Sequence, residues 1–247
     1  MRKYLFYPYR GIYYENGLCN SGIRILIVGD SHYCDEKKFN CPYRDKCLMN
    51  PYTVTEPCVD GGRICNFNID NIAYYLHDSG KYKAYIRLTL ILLGIEDKIK
   101  ACEEEKKEKE NVWIHIAYLN YLQKVLGKSE SNQKDFDFSQ KGFGKFISSL
   151  QIIKPYPNLI IGLGNNVRGA FTQNMSDRGT PLNPISGKPN KEWLFYGNLL
   201  GFQFIFCVLY HPSMRFYSKE KHKENIVRVR VAIEKCKNLI SNELLYI

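Results

Sequence analysis

The sequence predicts an α/β domain built on a central, mostly parallel sheet. Two observations point there. Residues 24–29 (Arg-Ile-Leu-Ile-Val-Gly), 158–164 (Asn-Leu-Ile-Ile-Gly-Leu-Gly) and 202–210 are short apolar runs of the kind expected of strands buried on both faces. Segments with helical spacing separate them, and strands alternating with helices favour a layered α/β arrangement. Each run also ends in a polar loop: Gly29-Asp30-Ser31-His32-Tyr33, Gly164-Asn165-Asn166 and His211-Pro212-Ser213. In parallel sheets ligands bind beyond the carboxyl ends of the strands, so these loops are where a site is expected.

After the first strand, residues 30–62 are rich in Cys, Pro, Tyr and Asn without sustained periodicity, and read as a long functional loop. Helical spacing resumes at 69–77 and 82–93, and the charged run 96–110 reads as a solvated helix or linker. Residues 112–120 are apolar and aromatic, consistent with a second strand or a short helix leading to Asn120. A polar connection spans 128–135, an amphipathic helix is predicted over 143–153, and 176–191 reads as a Pro, Gly and Asn loop. Beyond the loop 211–219, Ile226, Val229, Ile233, Cys236, Ile240 and Leu244 step by three or four and predict a closing helix. Residues 227–231 also alternate like a strand, which leaves the start of that helix open.

The 247 residues are enough for one sizeable core, and nothing in the composition demands a second domain. With 45% hydrophobic and 24% charged residues, neither a disordered nor a fibrous chain fits. No apolar run approaches the roughly 20 residues of a spanning helix, and residues 1–10 lack the apolar stretch of a secretion signal, so a cytoplasmic protein without membrane contact is expected. Thirty-five Lys and Arg against 25 Asp and Glu give +10 and a pI near 9.0, which suits a polyanionic partner. No heptad signals an oligomer, and a monomer is expected.

Taken in order, an acidic residue after the first strand, an Asn ending an aromatic run and a late His-Pro-Ser loop resemble the uracil-DNA glycosylase superfamily. The resemblance extends from about residue 24 to 237, on short motifs. Gly29-Asp30-Ser31-His32-Tyr33 looks like the glycine-led loop that carries the water-positioning residue. Asp30 directly after the glycine is similar to the branch with Gly-Glu there, and departs from the branch whose Asp comes one residue later, where this chain has Ser31. Tyr33 falls where that second branch has a tyrosine guarding the pocket floor. Ile116-Ala117-Tyr118-Leu119-Asn120-Tyr121 resembles the motif whose Asn reads the flipped base. Residues 158–171 resemble the strand-turn-helix segment before the last motif, which puts Asn165 among the DNA contacts. His211-Pro212-Ser213-Met214-Arg215 resembles that last motif, whose His stabilises the departing base and whose following residues wedge into the duplex.

The resemblance implies a three-layer α/β/α fold and a DNA glycosylase acting on single- or double-stranded DNA. Such an enzyme hydrolyses the N-glycosidic bond of uracil or a modified base after base flipping, with no cofactor for the chemistry. Positive charge develops on the sugar and negative charge on the leaving base, by analogy with sugar hydrolysis. Asp30 would face the sugar and activate water, and His211 would stabilise the base. Asn120 carries a donor and an acceptor for a Watson-Crick edge. Ser31 and Tyr33 complete the base pocket, and Tyr33, Tyr52 and Phe67 are candidates to stack on the base. Met214, Arg215, Phe216 and Tyr217 would fill the vacated stack, with Ser213 also on the DNA and Lys219, Lys221 and Lys223 on phosphates.

The nine cysteines are expected to be mostly reduced. Cys34, Cys41, Cys47, Cys58 and Cys65 crowd the first loop, and the first four are candidate ligands of a structural zinc, although no Cys-x2-Cys pair is present and free thiols are the alternative. Two other functional readings stay open. Residues 25–31 also resemble the Gly-Asp-Ser strand of SGNH esterases, with Ser31 as nucleophile; the Asp-x-x-His motif of that family is unmatched, since Val208 stands three before His211. The other is a non-catalytic nucleic-acid-binding module on the same fold.

Overall fold

The computed structural model describes residues 7–30, 32–34, 72, 76, 83–96, 112–122, 125–127, 139–186, 192–214 and 216–244, with backbone alone at 32–34, 83, 125–127, 186 and 242–244. Its strands are β1 (Tyr9–Arg10), β2 (Ile25–Gly29), β3 (His32–Cys34), β4 (Ile116–Asn120), β5 (Val125–Gly127), β6 (Leu159–Leu163), β7 (Asn183–Ser186), β8 (Leu194–Leu199) and β9 (Phe202–Leu209). Its helices are α1 (Lys83–Leu93), α2 (Gln140–Leu150), α3 (Gly164–Asp177) and α4 (Lys219–Leu244).

Seven strands form one sheet in the order β1-β4-β2-β6-β9-β8-β7. The inner four, β4, β2, β6 and β9, are mutually parallel, and β1, β8 and β7 are antiparallel to their neighbours. A separate parallel pair joins β3 to β5. The inner strands are buried along their whole length in β2, β4 and β6, as their β-branched, near-continuous apolar sequences require. Alternate residues serve opposite faces. Leu26 and Val28 pack with Phe143, Phe146, Phe171 and Met175 from α2 and α3. Ile25 and Ile27 pack with Leu88, Ile91, Ile226, Val229 and Ala232 from α1 and α4. Helices therefore cover both faces of a mixed, mostly parallel sheet. Each Val, Leu, Ile, Phe or Met side chain fully buried in this way contributes about 1.5–3 kcal/mol relative to exposure.

Local chemistry sets the helix boundaries. The Ser139 hydroxyl accepts from Gly142 N at 3.2 Å and caps α2, which begins three residues earlier than the apolar spacing predicts. The alternation over 227–231 belongs to α4: Val227 faces out at 54% exposure while Val229 is buried, in step with Ile226, Ala232 and Cys236. The expected loop 176–191 contains β7, and β8 follows it. Asn183, Pro184 and Gly197 carry loop chemistry inside these strands, of which β7 is the sheet edge and β8 lies between β7 and β9. The β8–β9 hairpin closes through Leu200 and Gly201 at φ 54° and 79°, the two positive values of a type I′ turn, with leucine where Asn is the usual signal. No helix among the described residues is long and apolar enough to cross a membrane.

The sheet order makes β2 a reversal point. The chain passes from β2 to β4 on one side, then returns to β6 and β9 on the other. Such a point opens a crevice beyond the carboxyl ends of the strands.

Candidate active site

Four parallel strands deliver four polar segments to the carboxyl end of the sheet. Asp30 follows β2, Asn120 ends β4, Gly164-Asn165 follows β6, and His211 follows β9 by two residues. The registers Gly29↔Asn120, Val28↔Gly162 and Leu163↔Leu209 put these ends side by side.

Asp30 is held by its backbone. Tyr121 N donates to Gly29 O at 2.8 Å and Leu122 N donates to Asp30 O at 3.0 Å, continuing the β2–β4 ladder beyond the strands and fixing the backbone of the half-buried Asp30. Asn120 is buried on the face of the sheet shared with α1 and α4. The Tyr118 hydroxyl donates to its Oδ1 at 2.9 Å. Burial pushes the Tyr118 phenol well above its ordinary value of 10.0, helped by the nearby Tyr85 hydroxyl and the Asp30 charge, so it stays protonated and keeps donating. Gly29 makes room for this amide: a Cβ there would lie 2.1 Å from Asn120 Oδ1 and 2.5 Å from the Tyr118 hydroxyl.

His211 packs over Gly164, whose φ of +87° favours glycine and whose Cα hydrogen faces the imidazole; a Cβ there would meet His211 Cβ at 3.4 Å. The Ser213 N–H donates to His211 Nδ1 at 3.2 Å, and the Ser213 hydroxyl lies 2.7 Å from the same nitrogen. A backbone N–H can only donate, so Nδ1 accepts and the proton of the neutral ring sits on Nε2. Burial lowers the His211 pKa below 6.5 and outweighs the opposing pull of the Asp30 carboxylate. Asp30 thus interacts electrostatically with both His211 and Tyr118, and Tyr118 holds Asn120. The three side chains singled out in sequence follow or end neighbouring parallel strands at their carboxyl ends.

The loop after His211 is a turn closed by Met214 N to His211 O at 3.0 Å. Ser213, Met214 and Phe216 are exposed, Phe216 at 76%. Lys219 is the exposed first residue of α4, and Asn165 is exposed in the first turn of α3. Lys221 donates to Phe216 O at 2.9 Å and folds back on the loop. Lys223 is engaged by Glu96 at 3.0 Å, which makes it a poorer phosphate ligand than its sequence position suggests. Ser31, Arg215, Cys41, Cys47, Cys58, Cys65, Tyr52 and Phe67 lie outside the described residues, and Tyr33 and Cys34 are described only as backbone of β3. The proposed zinc ligands therefore fall outside them too; among the described residues no group of three His, Cys, Asp or Glu side chains gathers.

Several residues at the site carried no sequence signal as functional groups. Asn225 on α4 bonds the backbone of Tyr210 on both sides, accepting from its N–H at 2.9 Å and donating to its carbonyl at 3.0 Å. Arg87 on α1 donates to the Pro212 carbonyl and lies over the Tyr217 ring at 4.6 Å. Buried Arg228 donates to Val208 O at 2.8 Å and lies over the rings of Tyr210 and Trp193, bracing the end of β9. A polar Asn in register with the buried stripe of α4 was the one available clue.

No family model matches this chain, and no curated protein matches it.

Proposed function

We propose that this protein is a DNA glycosylase of the uracil-DNA glycosylase type, hydrolysing the bond between deoxyribose and a flipped base. The observation that carries the reading is the state of His211: a neutral imidazole with its proton on Nε2, at the same sheet edge as a carboxylate and an oriented amide. Acid, amide and donor answer the three demands of the reaction.

When the C1′–N bond breaks, its electron pair leaves with the base and the sugar becomes cationic. Asp30 stabilises that cation and accepts a proton from the attacking water, whose oxygen bonds to C1′. The proton on His211 Nε2 is a hydrogen-bond donor for the anionic base, and a neutral ring donates without protonating the base outright. Asn120, its Oδ1 held by Tyr118, contributes the recognition amide. Water supplies hydroxyl to the sugar and, in the end, a proton to the base, leaving an abasic site and a free base.

The rest of the surface supports a nucleic-acid substrate. The net charge of +10 favours a polyanion. Exposed Met214 and Phe216 follow His211 in the same loop, and apolar side chains there suit the stack that a flipped nucleotide leaves. Under this reading the partner is DNA, the fold is the three-layer arrangement of that superfamily, and the protein acts as a monomer without a cofactor for the chemistry. Duplexes and single strands carrying uracil or modified bases, incubated with the protein and then treated with alkali, test it. Strand breaks at the modified position, with the free base identified by mass spectrometry, are expected; intact strands for every base, with DNA merely retained, would replace the enzyme with a binding module.

A further inference from the structure

The geometry points to Asn225 as the positioning residue for His211, an amide that takes the place of a missing neighbouring strand and ties both ends of the His211 loop together. The inference rests on the glycosylase reading for its role in turnover, and on hydrogen bonds alone for its role in shaping the loop.

Among the described residues, β9 runs out of strand partners at its carboxyl end. Its register with β6 ends at Leu163↔Leu209, and its register with β8 covers Phe202 through Cys207, with one more bond from Val208 N to Trp193 O. Tyr210, the next residue, is beyond both ladders. A backbone N–H and carbonyl left there without partners would let the chain fray one residue before His211. Asn225 supplies both bonds: its Oδ1 accepts from Tyr210 N and its Nδ2 donates to Tyr210 O. A carboxamide has the donor and acceptor of a peptide group, so it continues the ladder as a strand would. The second Nδ2 hydrogen goes to the Tyr217 hydroxyl at 3.1 Å, at the far end of the loop.

The network continues consistently from there. The Tyr217 hydroxyl lies 3.2 Å from His222 Nδ1, and His222 Nε2 lies 3.0 Å from Ile95 O. A carbonyl only accepts, so Nε2 donates to Ile95 O, and the Tyr217 hydroxyl meets the other ring nitrogen. Asn225 has 0% exposure, and its oxygen and both amide hydrogens are used. A buried helix position facing a sheet is ordinarily apolar, as Ile226, Val229 and Ala232 are on the same helix. A fully satisfied amide there specifies one loop path and no other. Arg87, bonded to the Pro212 carbonyl, holds the middle of the same loop. The result is a His211 whose Cα is anchored from the residue before it and whose Nδ1 is anchored by Ser213 after it.

The test combines Asn225→Ala, His211→Ala and the double variant in single-turnover base release, with 15N NMR of the His211 ring. Asn225→Ala is expected to lower the rate constant for release by 10- to 100-fold while changing KM for the duplex less than threefold. It is also expected to broaden or mix the His211 tautomers that are uniform in the wild type. In the His211→Ala background the same substitution should change the rate less than threefold, because the residue acts through the imidazole. A folded Asn225→Ala with the wild-type rate and tautomer, or a double variant whose losses multiply, would overturn the inference. Should Asn225→Ala not fold, Tyr217→Phe removes the third Asn225 bond together with the hydroxyl's contact to His222 Nδ1 and is expected to slow release three- to tenfold; an unchanged rate and unchanged His211 spectrum would then overturn the inference. Should the wild type release no base, the glycosylase reading falls and the NMR comparison alone decides the loop role.

Discussion

Gly29→Ala is the sharpest single probe of how the sheet builds the site. The added methyl would lie 2.1 Å from Asn120 Oδ1 and 2.5 Å from the Tyr118 hydroxyl. A carbon and an oxygen approach to about 3.3 Å without strain, so the amide must retreat by about 1 Å or the strand must shift by a similar amount. Overpacking of this kind costs about 1–3 kcal/mol, which lowers the melting temperature of a chain this size by about 2–4 °C per kcal/mol. Misplacing a recognition group by about 1 Å costs about a hundredfold in rate. The expected outcome is a folded protein with a modestly lower melting temperature and base release down about a hundredfold. Gly162→Ala is the matched control: its methyl would meet Phe206 at 2.8 Å and Val167 at 3.1 Å, on the face of the sheet away from Asn120. It should melt lower by a comparable amount and keep turnover per folded molecule near wild type. A Gly29→Ala protein that melts lower yet releases base at the wild-type rate would refute the role given to Asn120.

His211→Ala removes one donor from developing negative charge and is expected to lower release by about 10²–10³-fold, while Asp30→Asn lowers it by orders of magnitude; single-turnover assays on protein with unchanged circular dichroism check both. The pH dependence has a defined sign: burial lowers the His211 pKa, so the neutral ring is retained down to below pH 6.5 and activity falls only under that value, as the ring gains a proton. The same shift makes folding stability complete above 6.5 and progressively lost as pH drops from there toward the lowered value, because the folded state resists binding that proton. Replacing Asp30 by Asn removes the charge that favours imidazolium, so the NMR titration midpoint of His211 should move further down; an upward move would refute the coupling. Phe216→Ala, at a residue 76% exposed, should leave stability within about 0.5 kcal/mol but reduce release from duplexes more than from single strands, read from the ratio of the two rates.

The parts of the fold that sequence revealed were those whose burial is symmetrical. Residues 25–29 and 159–163 are apolar throughout because both of their faces meet helices, and that pattern survives without any knowledge of neighbours. β7 and β8 lie toward an edge, where alternation is interrupted by Pro184 and Gly197, and their identity depends on pairing with β9. The site divides along the same line. Asp30, Asn120 and His211 stood out through their order along the chain, an acid, an amide and a His-Pro-Ser loop that together resemble one superfamily, and parallel strands carry the ends of such runs to one side of the sheet. Tyr118 and Asn225 did not, since an aromatic in a strand and an amide in a helix have local explanations. Their roles arise from partners brought close by folding: Asn225 meets Tyr210 across a turn, and Arg87 meets the Pro212 carbonyl from 125 residues away.

One nitrogen separates the hydrolase readings. A Ser-His-Asp site needs Nε2 unprotonated to take the serine proton and Nδ1 protonated to bond an orienting acid. In this chain Nδ1 accepts from the Ser213 N–H, and the residue three before His211, where the esterase family has its acid, is Val208 in the body of β9. For Ser31 to act as a nucleophile, the 211–214 turn would have to release Nδ1 and a carboxylate would have to replace Ser213. A glycosylase asks the opposite of the ring: the proton on Nε2, no full charge, and a fixed direction of donation. The Ser213 bond sets the first, burial sets the second against the pull of Asp30, and the turn closed by Met214 N and His211 O sets the third. Ser213→Ala keeps the backbone donor and should be mild, whereas Ser213→Pro removes it and should release the tautomer; equal rates for these two variants would refute the argument.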